Sequence, residues 1–315
     1  MKRFDLRKAR LSLKSALAAT TVMVVSGCQS IELPSASNFQ AIAGASPQLP
    51  PADLPSFLPG DKYYYSNGAR DQVVQVDGET VDIISRSGLK RTYFRNFAVP
   101  TPYIEGSVKE YFKTTHTPTN VLWPLQPDNK ASFTTRGKSV TKDTGYVSEY
   151  DQKWSCVVDG TERIRVLAGE FDTYRVQCKR YSMTGRWWEK TTWHYAPDVG
   201  AYVMRRVFHK KRGEQIRQLT AIRPSLHDEP DAVRRNIIRT WQTALEYRQS
   251  GEIESWTDPA SGTSVQVEPL QTYRAQNGLF CRTYKQYLTR KGDTRIYRGV
   301  ACRADKLRWR TPSRA

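Results

Sequence analysis

Cys281-Arg-Thr-Tyr-Lys-Gln-Tyr-Leu-Thr-Arg290-Lys-Gly-Asp293-Thr-Arg-Ile-Tyr-Arg298-Gly-Val-Ala-Cys302 places Lys291-Gly292 between two runs rich in Thr, Tyr, Val and Ile. That is strand composition on either side of a turn. With Lys291-Gly292 as a two-residue loop, Arg290 pairs with Asp293 and Tyr287 faces Ile296. The same register sets Cys281 opposite Cys302 at a non-hydrogen-bonded site, where antiparallel side chains approach within disulfide reach. It also sets Lys285 directly opposite Arg298, a like-charge pair that costs energy unless solvent or an anion sits between. A turn at Gly292-Asp293 would instead break this register by two residues.

Upstream, period-two runs recur from Asp61 to about Arg223. They are Lys62–Ser66, Gln72–Asp77, Thr80–Ser85, Arg91–Phe97, Ser132–Val140, Tyr146–Val158, Arg163–Leu167, Phe171–Tyr181, Trp187–Tyr195 and Tyr202–His209. Asn67-Gly68, Asp77-Gly78, Asp159-Gly160, Ala168-Gly169 and Pro197-Asp-Val-Gly200 punctuate them as turns. No long helical period interrupts the series. The expected class is mainly β: a curved antiparallel sheet or partial barrel over 61–225, then one amphipathic helix, then a small antiparallel β domain over 251–315. The helix is expected at Asp228–Ser250, within 226–250. Asp228 would cap it, Pro230 would sit in its first turn and Gly251 would close it. Its apolar stripe is Val233, Ile237, Ile238, Trp241 and Leu245.

The amino terminus reads as a leader over 1–27. Lys2, Arg3, Arg7, Lys8, Arg10 and Lys14 precede an uncharged stretch from Ser15 to Gly27. Its apolar centre, Ala16 to Val25, is shorter than the roughly 20 residues of a spanning helix. It ends Val25-Ser-Gly-Cys28, which resembles the lipobox of bacterial lipoproteins. The alternative is an ordinary secretory leader with a chance cysteine. The resemblance implies diacylglyceryl transfer to Cys28, cleavage before it, and two or more acyl chains that hold the chain on a membrane. Gln29, where Asp would retain a lipoprotein at the inner membrane, implies the outer membrane, the body facing the periplasm or the surface. Residues 28–60 are rich in Pro, Ser and Ala and read as a flexible linker.

Export puts the remaining cysteines, Cys156, Cys178, Cys281 and Cys302, in an oxidising compartment. Three connectivities are open; sequence distance favours Cys156–Cys178 with Cys281–Cys302, and four free thiols are the alternative in a reducing compartment. Alternation puts Cys156 with Trp154 and Val158, and Cys178 with Tyr174 and Val176. If Asp159-Gly160 and Ala168-Gly169 were both tight turns, a strand would separate the two cysteines.

Two phrases, Ala168-Gly-Glu-Phe-Asp-Thr-Tyr-Arg-Val176 and Trp193-His-Tyr-Ala-Pro-Asp-Val-Gly200, resemble a pair found in periplasmic β-rich domains of unknown function. The resemblance implies a curved sheet like that of lipoprotein carriers. From Gly251 onward, Trp256-Thr-Asp-Pro-Ala-Ser-Gly262, Val267-Glu-Pro269, Tyr273, Cys281-Arg-Thr-Tyr284, Gly299-Val-Ala-Cys-Arg303 and Trp309 resemble the C-terminal domain of the seventeen-kilodalton surface antigen family of outer-membrane lipoproteins. That resemblance covers about 60 residues and implies an envelope role without established catalytic residues. It lacks the family's glycine-zipper segment, and the usual Asp-Gly-x-Trp close is Asp305-Lys-Leu-Arg-Trp309 here.

The formal charge is +18, of which the leader holds five. From Leu270 onward twelve Lys or Arg face two Asp, so Arg282, Lys285, Arg298 and Arg303 are candidate anion-binding residues for phospholipid, lipopolysaccharide or cell-wall polymer. A solvated face that only keeps the domain soluble is the alternative. The four histidines, His116, His194, His209 and His227, form no metal-ligand spacing. With no HExxH, GxSxG or Walker pattern, no metal, cofactor or catalytic site is expected. Export argues against nucleic acid as partner. The expected function is a non-catalytic structural or adaptor lipoprotein of the envelope, in contact with envelope proteins and anionic components. The alternative is a lipid or lipoprotein carrier with Tyr64, Trp154, Tyr174, Trp187 and Trp193 on an open concave face; a cell-wall-modifying enzyme is a third class.

Cys28→Ser is expected to leave the leader uncleaved and the chain without acyl chains. Intact mass after expression in an exporting bacterium reads both at once, and cleavage of the leader in the Cys28→Ser variant would contradict the lipobox reading.

Overall fold

The computed structural model describes residue 42 and residues 46–115, 118–305 and 308–312. The leader, the Cys28 motif, most of the expected linker's first half and His116 lie outside the described residues.

Twelve strands form the first module: β1 (Lys62–Tyr65), β2 (Arg70–Asp77), β3 (Thr80–Ser85), β4 (Lys90–Phe94), β5 (Tyr103–Glu105), β6 (Lys109–Thr115), β7 (Lys130–Thr141), β8 (Val147–Val166), β9 (Gly169–Ser182), β10 (Trp187–Ala196), β11 (Ala201–His209) and β12 (Gly213–Arg223). Each pairs antiparallel with the next, and β1 also pairs with β12, Tyr63 opposite Ile222. The sheet therefore closes into an up-and-down barrel, where alternation alone left a partial barrel open. Closure removes both sheet edges.

Alternation assigns the two faces. Along β7, Phe133, Thr135 and Ser139 are buried inside, while Lys130, Ser132, Thr134, Arg136 and Lys138 are exposed. A bilayer-spanning barrel shows the reverse, an apolar band outside. β5, β6 and β12 were absent from the period-two reading. In β12 the reason is burial on both faces: Leu219, Thr220, Ala221 and Ile222 are all buried.

The inside is filled from one end. The β4–β5 connection turns inward with Ala98 and Val99 buried, and the segment after β6 contributes Leu122 and Leu125. Residues 46–60, assigned to the linker by composition, run along the same end. Ala52 bridges to Leu125, Tyr174 Oη donates to the Leu49 and Pro50 carbonyls at 3.0 and 2.9 Å, and Tyr195 Oη donates to Asp53 O at 3.0 Å. Composition missed this because the segment packs only a few side chains, among them Leu49, Ala52 and Phe57, and is otherwise held by its carbonyls as acceptors for buried tyrosines.

Asp159-Gly160 is no turn. β8 runs through it with a bulge between Val158 and Thr161, so β8 and β9 form one long hairpin with Cys156 directly opposite Cys178. Both disulfides, Cys156–Cys178 and Cys281–Cys302, are formed. Loops of 22 and 21 residues correspond to about 3 kcal/mol each on the chain-entropy model.

After the barrel, α1 (Asp231–Tyr247) precedes the meander β13 (Glu254–Asp258), β14 (Thr263–Arg274), β15 (Phe280–Arg290), β16 (Asp293–Asp305) and β17 (Arg308–Arg310). The β15–β16 register is the expected one, Arg290 with Asp293 and Cys281 with Cys302. The helix is shorter than expected. Pro230 is its N-cap and Arg248 its C-cap, while Gly251 N bonds to Pro269 O instead. Arg282 replaces the glycine cap by donating Nη1 to Leu245 O at 2.7 Å. Val233, Ile237, Trp241 and Leu245 are buried as expected, but Ile238 is exposed and Ala244 takes its place.

The meander meets the barrel where Gly299 of β16 pairs with Ala221 of β12. A Cβ at Gly299 would lie 2.6 Å from Ala221 Cβ and 2.9 Å from its Cα. Ala221 Cβ is fixed to its backbone and cannot rotate away, so a larger residue must push the paired strands apart. Gly299→Val is expected to lower stability by about 3 kcal/mol, read as a fall in the urea midpoint at unchanged slope. A midpoint within error of the parent would mean that the junction yields freely.

Candidate functional site

The barrel's other end, carrying the β5–β6, β7–β8, β9–β10 and β11–β12 turns, is not filled. A partly open cavity of about 460 Å³ lies there, floored by Phe97, Ala98 and Val99. Alternation on separate strands delivers Arg91 from β4, Lys113 from β6, Arg180 from β9, Arg205 from β11 and Arg217 from β12. Trp154 and Trp193 form aromatic walls, and Glu189 is the one carboxylate among the lining residues.

The charges are not balanced. Arg180 pairs with Glu189 at 3.0 Å. Asp71, buried behind the wall, pairs with Arg217 and lies 3.8 Å from Arg91. Lys113 and Arg205 have no carboxylate partner among the described residues, and Arg205 Nε is buried without a hydrogen bond. Burial brings the Lys113 ammonium down to about 8, with Arg180 and Arg205 adding repulsion against a weaker pull from Glu189. Five cations against two carboxylates leave a surplus in a recess whose low-dielectric walls focus the field. The guanidiniums lean on rings: Arg217 lies 3.5 Å from the Tyr65 centroid, Arg180 5.8 Å from Trp154 and Arg205 5.9 Å from Trp193. Such stacking holds the planar groups in place. The lining contains no His, Cys or Ser, and its carboxylate is already paired. The arrangement is suited to holding an anion.

The residues singled out from sequence lie elsewhere. Arg282 is buried against the carboxyl end of α1. Arg303 pairs with Glu246, which also accepts from Trp309 Nε1 at 2.9 Å. Arg298 pairs with Asp198 at 2.9 Å, donates to Glu170 O at 2.6 Å and stacks 3.8 Å from the Phe171 centroid. Lys285 does face Arg298, with Glu268 on its other side. Asp198 is thus an anion beside that like-charge pair, supplied by the barrel. The two phrases around Phe171 and Asp198 meet as the seat of Arg298 and join the modules.

Of the concave-face residues, Trp154 and Trp193 line the cavity and Tyr174 is buried below it. Tyr64 takes the face of β1 opposite Tyr63 and Tyr65, and Trp187 stacks outside on Phe208. His194 lies 3.3 Å from Glu162, and burial lowers its pKa. Sequence reasoning missed all five cavity cations, because each reads as an ordinary charge on an alternating strand.

Residues 243–310 match the model of the 17 kDa outer membrane surface antigen family. The chain is 41% identical over 76 residues to the 17 kDa surface antigen of Rickettsia australis, covering 24% of this chain and 48% of that protein. It is 38% identical over 82 residues to that of Rickettsia rickettsii, covering 26% and 50%. The chain spans about half the length of the curated relatives it matches. Among solved structures, the hypothetical lipoprotein YmcC from Escherichia coli aligns with a TM-score of 0.39 at 11% identity, over 51% of this chain and 84% of that one. A chain from Bacteroides fragilis described as having a YmcC-like fold aligns with a TM-score of 0.34 at 12% identity, over 55% and 100%. The C-terminal module, from the last turns of α1 to β17, is therefore similar to the surface antigen domain.

Proposed function

We propose that this chain is a non-catalytic cell-envelope lipoprotein, anchored at the outer membrane through acyl chains on Cys28, whose barrel mouth binds an acidic glycan of the envelope. The observation that carries the reading is the uncompensated charge of Lys113 and Arg205 between Trp154 and Trp193. Cations held in a recess without counter-charge are costly unless an anion completes them, and an acidic sugar supplies that anion without needing an apolar hollow. The match of residues 243–310 to an outer-membrane antigen family supports the envelope location.

Within the C-terminal module, Arg282, Arg298 and Arg303 are held by the fold, which leaves Lys285 as the member of that set free to meet an external anion. We therefore assign the primary anion site to the barrel and a secondary contact to that face. The carrier reading is weaker. An acyl chain needs an apolar hollow, and the apolar part of this barrel already holds Ala98, Leu122 and Leu125.

Calorimetric titration with trigalacturonate is expected to show binding where neutral maltotriose shows none. Lys113→Met or Arg205→Met should weaken it about tenfold or more, the scale of one charge-assisted hydrogen bond. Affinity should fall as pH rises past about 8, because Lys113 then loses its proton, and Lys113→Met should flatten that profile. No binding of the acidic trimer at low salt sinks the reading.

The unliganded protein carries the opposite dependence. The folded state holds the Lys113 proton less tightly than the unfolded chain, so stability should rise as pH goes from about 8 toward the ordinary lysine value of about 10.4. Urea midpoints of the parent and of Lys113→Met across that range check the sign; equal slopes would contradict it.

A further inference from the structure

The turns joining β9 to β10 and β11 to β12 stand side by side at the open end of the barrel. Met183, Trp188 and Phe208 there are 47%, 44% and 40% exposed. The two hairpins are adjacent: Trp187 stacks on Phe208 with centroids 5.8 Å apart, and Lys210 N donates to Trp188 O at 3.0 Å. A register shift between Trp187 and Glu189 makes Trp188 the extra residue of a bulge, without a partner on β9. Arg186, Lys210, Lys211 and Arg212 surround the patch, all exposed and none in an ion pair among the described residues. The nearby carboxylates are committed elsewhere, Glu189 to Arg180 and Glu214 to Arg206.

We infer that these two hairpin tips dock on an anionic phospholipid surface, Trp188, Met183 and Phe208 entering the headgroup layer and the four cations meeting lipid phosphates. Solubility explains the cations but not the apolar side chains among them. Protection of a sheet edge explains neither, since a closed barrel has no edge to protect. A second copy of the chain is a poor occupant, because a two-fold contact would set the four cations against themselves. Aromatic side chains ringed by Lys and Arg are the composition of membrane-interface segments. Each cation near an anionic surface is worth about fivefold in affinity, screened by salt. Only the outer face of the tips takes part, and no residue that fixes an anion in the cavity.

The test uses the full chain with vesicles containing brominated acyl chains, either pure phosphatidylcholine or one-third phosphatidylglycerol. Tryptophan quenching that appears with phosphatidylglycerol, exceeds that of Trp188→Phe and falls severalfold in Lys210→Glu/Lys211→Glu/Arg212→Glu is the expected result. Comparing variants with the parent cancels any contribution of the leader or of acyl chains. Quenching equal in the parent and Trp188→Phe, or unchanged by the charge reversal, overturns the inference. So does a protein dimer that protects Trp188 in solution. Near-ultraviolet circular dichroism of each variant, matching the parent, establishes that the tips were altered on an intact barrel.

Discussion

Lys62–Tyr65 is the constraint on which the rest of the molecule depends. This short strand is hydrogen-bonded to β2 on one side and β12 on the other, and without it the barrel would have two free edges. Tyr63 and Tyr65 point inward and are buried. Just before them, buried Asp61 accepts from Ser225 N at 2.9 Å and Tyr297 Oη at 3.3 Å. One residue earlier, Gly60 has φ 85° and leaves no room for a Cβ beside Ser225. The closing strand is thus tied to the barrel's exit and to the C-terminal meander at the same point. Burial raises the Asp61 carboxyl to about 6 against the pull of these donors and of Arg295 and Arg290, a measure of how dry the junction is.

Closure explains the division of the interior. A closed twelve-strand ring is too wide for its own side chains to fill, and the chain fills one end with loops. Phe97, Ala98, Leu122 and Leu125 come from connections, and Ala52 from the amino-terminal segment. The other end receives Arg and Lys, whose long stems cover aromatic walls while their charged ends define the cavity. Asp71 and Glu189 offset part of that charge and fix the positions of Arg217 and Arg180. Lys113 and Arg205 are left facing the space. An aqueous recess with organised, under-neutralised donors is preorganised for an anion, since little must move for it to bind.

Local pattern announced nine of the twelve barrel strands, the hairpin register at Cys281–Cys302 and the buried stripe of α1 apart from Ile238, because each depends on neighbours close in the chain. Closure did not announce itself. It rests on Tyr63 meeting Ile222, and nothing in Lys62-Tyr-Tyr-Tyr65 says which distant strand will be its partner. Gly160 misled for a related reason: Asp-Gly is a turn signal, yet here its positive φ serves a bulge inside a continuous strand. The cavity was hidden because it is assembled from five strands, each contributing one inward cation that alternation would have permitted to face either water or the interior.

The two basic regions of the chain differ in what folding does with their charge. The C-terminal module has the denser run of Lys and Arg, and composition alone would make it the anion site. Its guanidiniums instead find Asp198, Glu246 and the carbonyls at the end of α1, so much of that charge is structural: it seats the helix on the sheet and the module on the barrel. Arg282 and Arg303 are two of these ties, since each follows a bonded cysteine and reaches the helix. The barrel's cations are fewer, yet two of them lack a carboxylate partner among the described residues. On the proposed function, recognition follows the charge that folding leaves uncompensated, which is found in the barrel mouth rather than in the more basic tail.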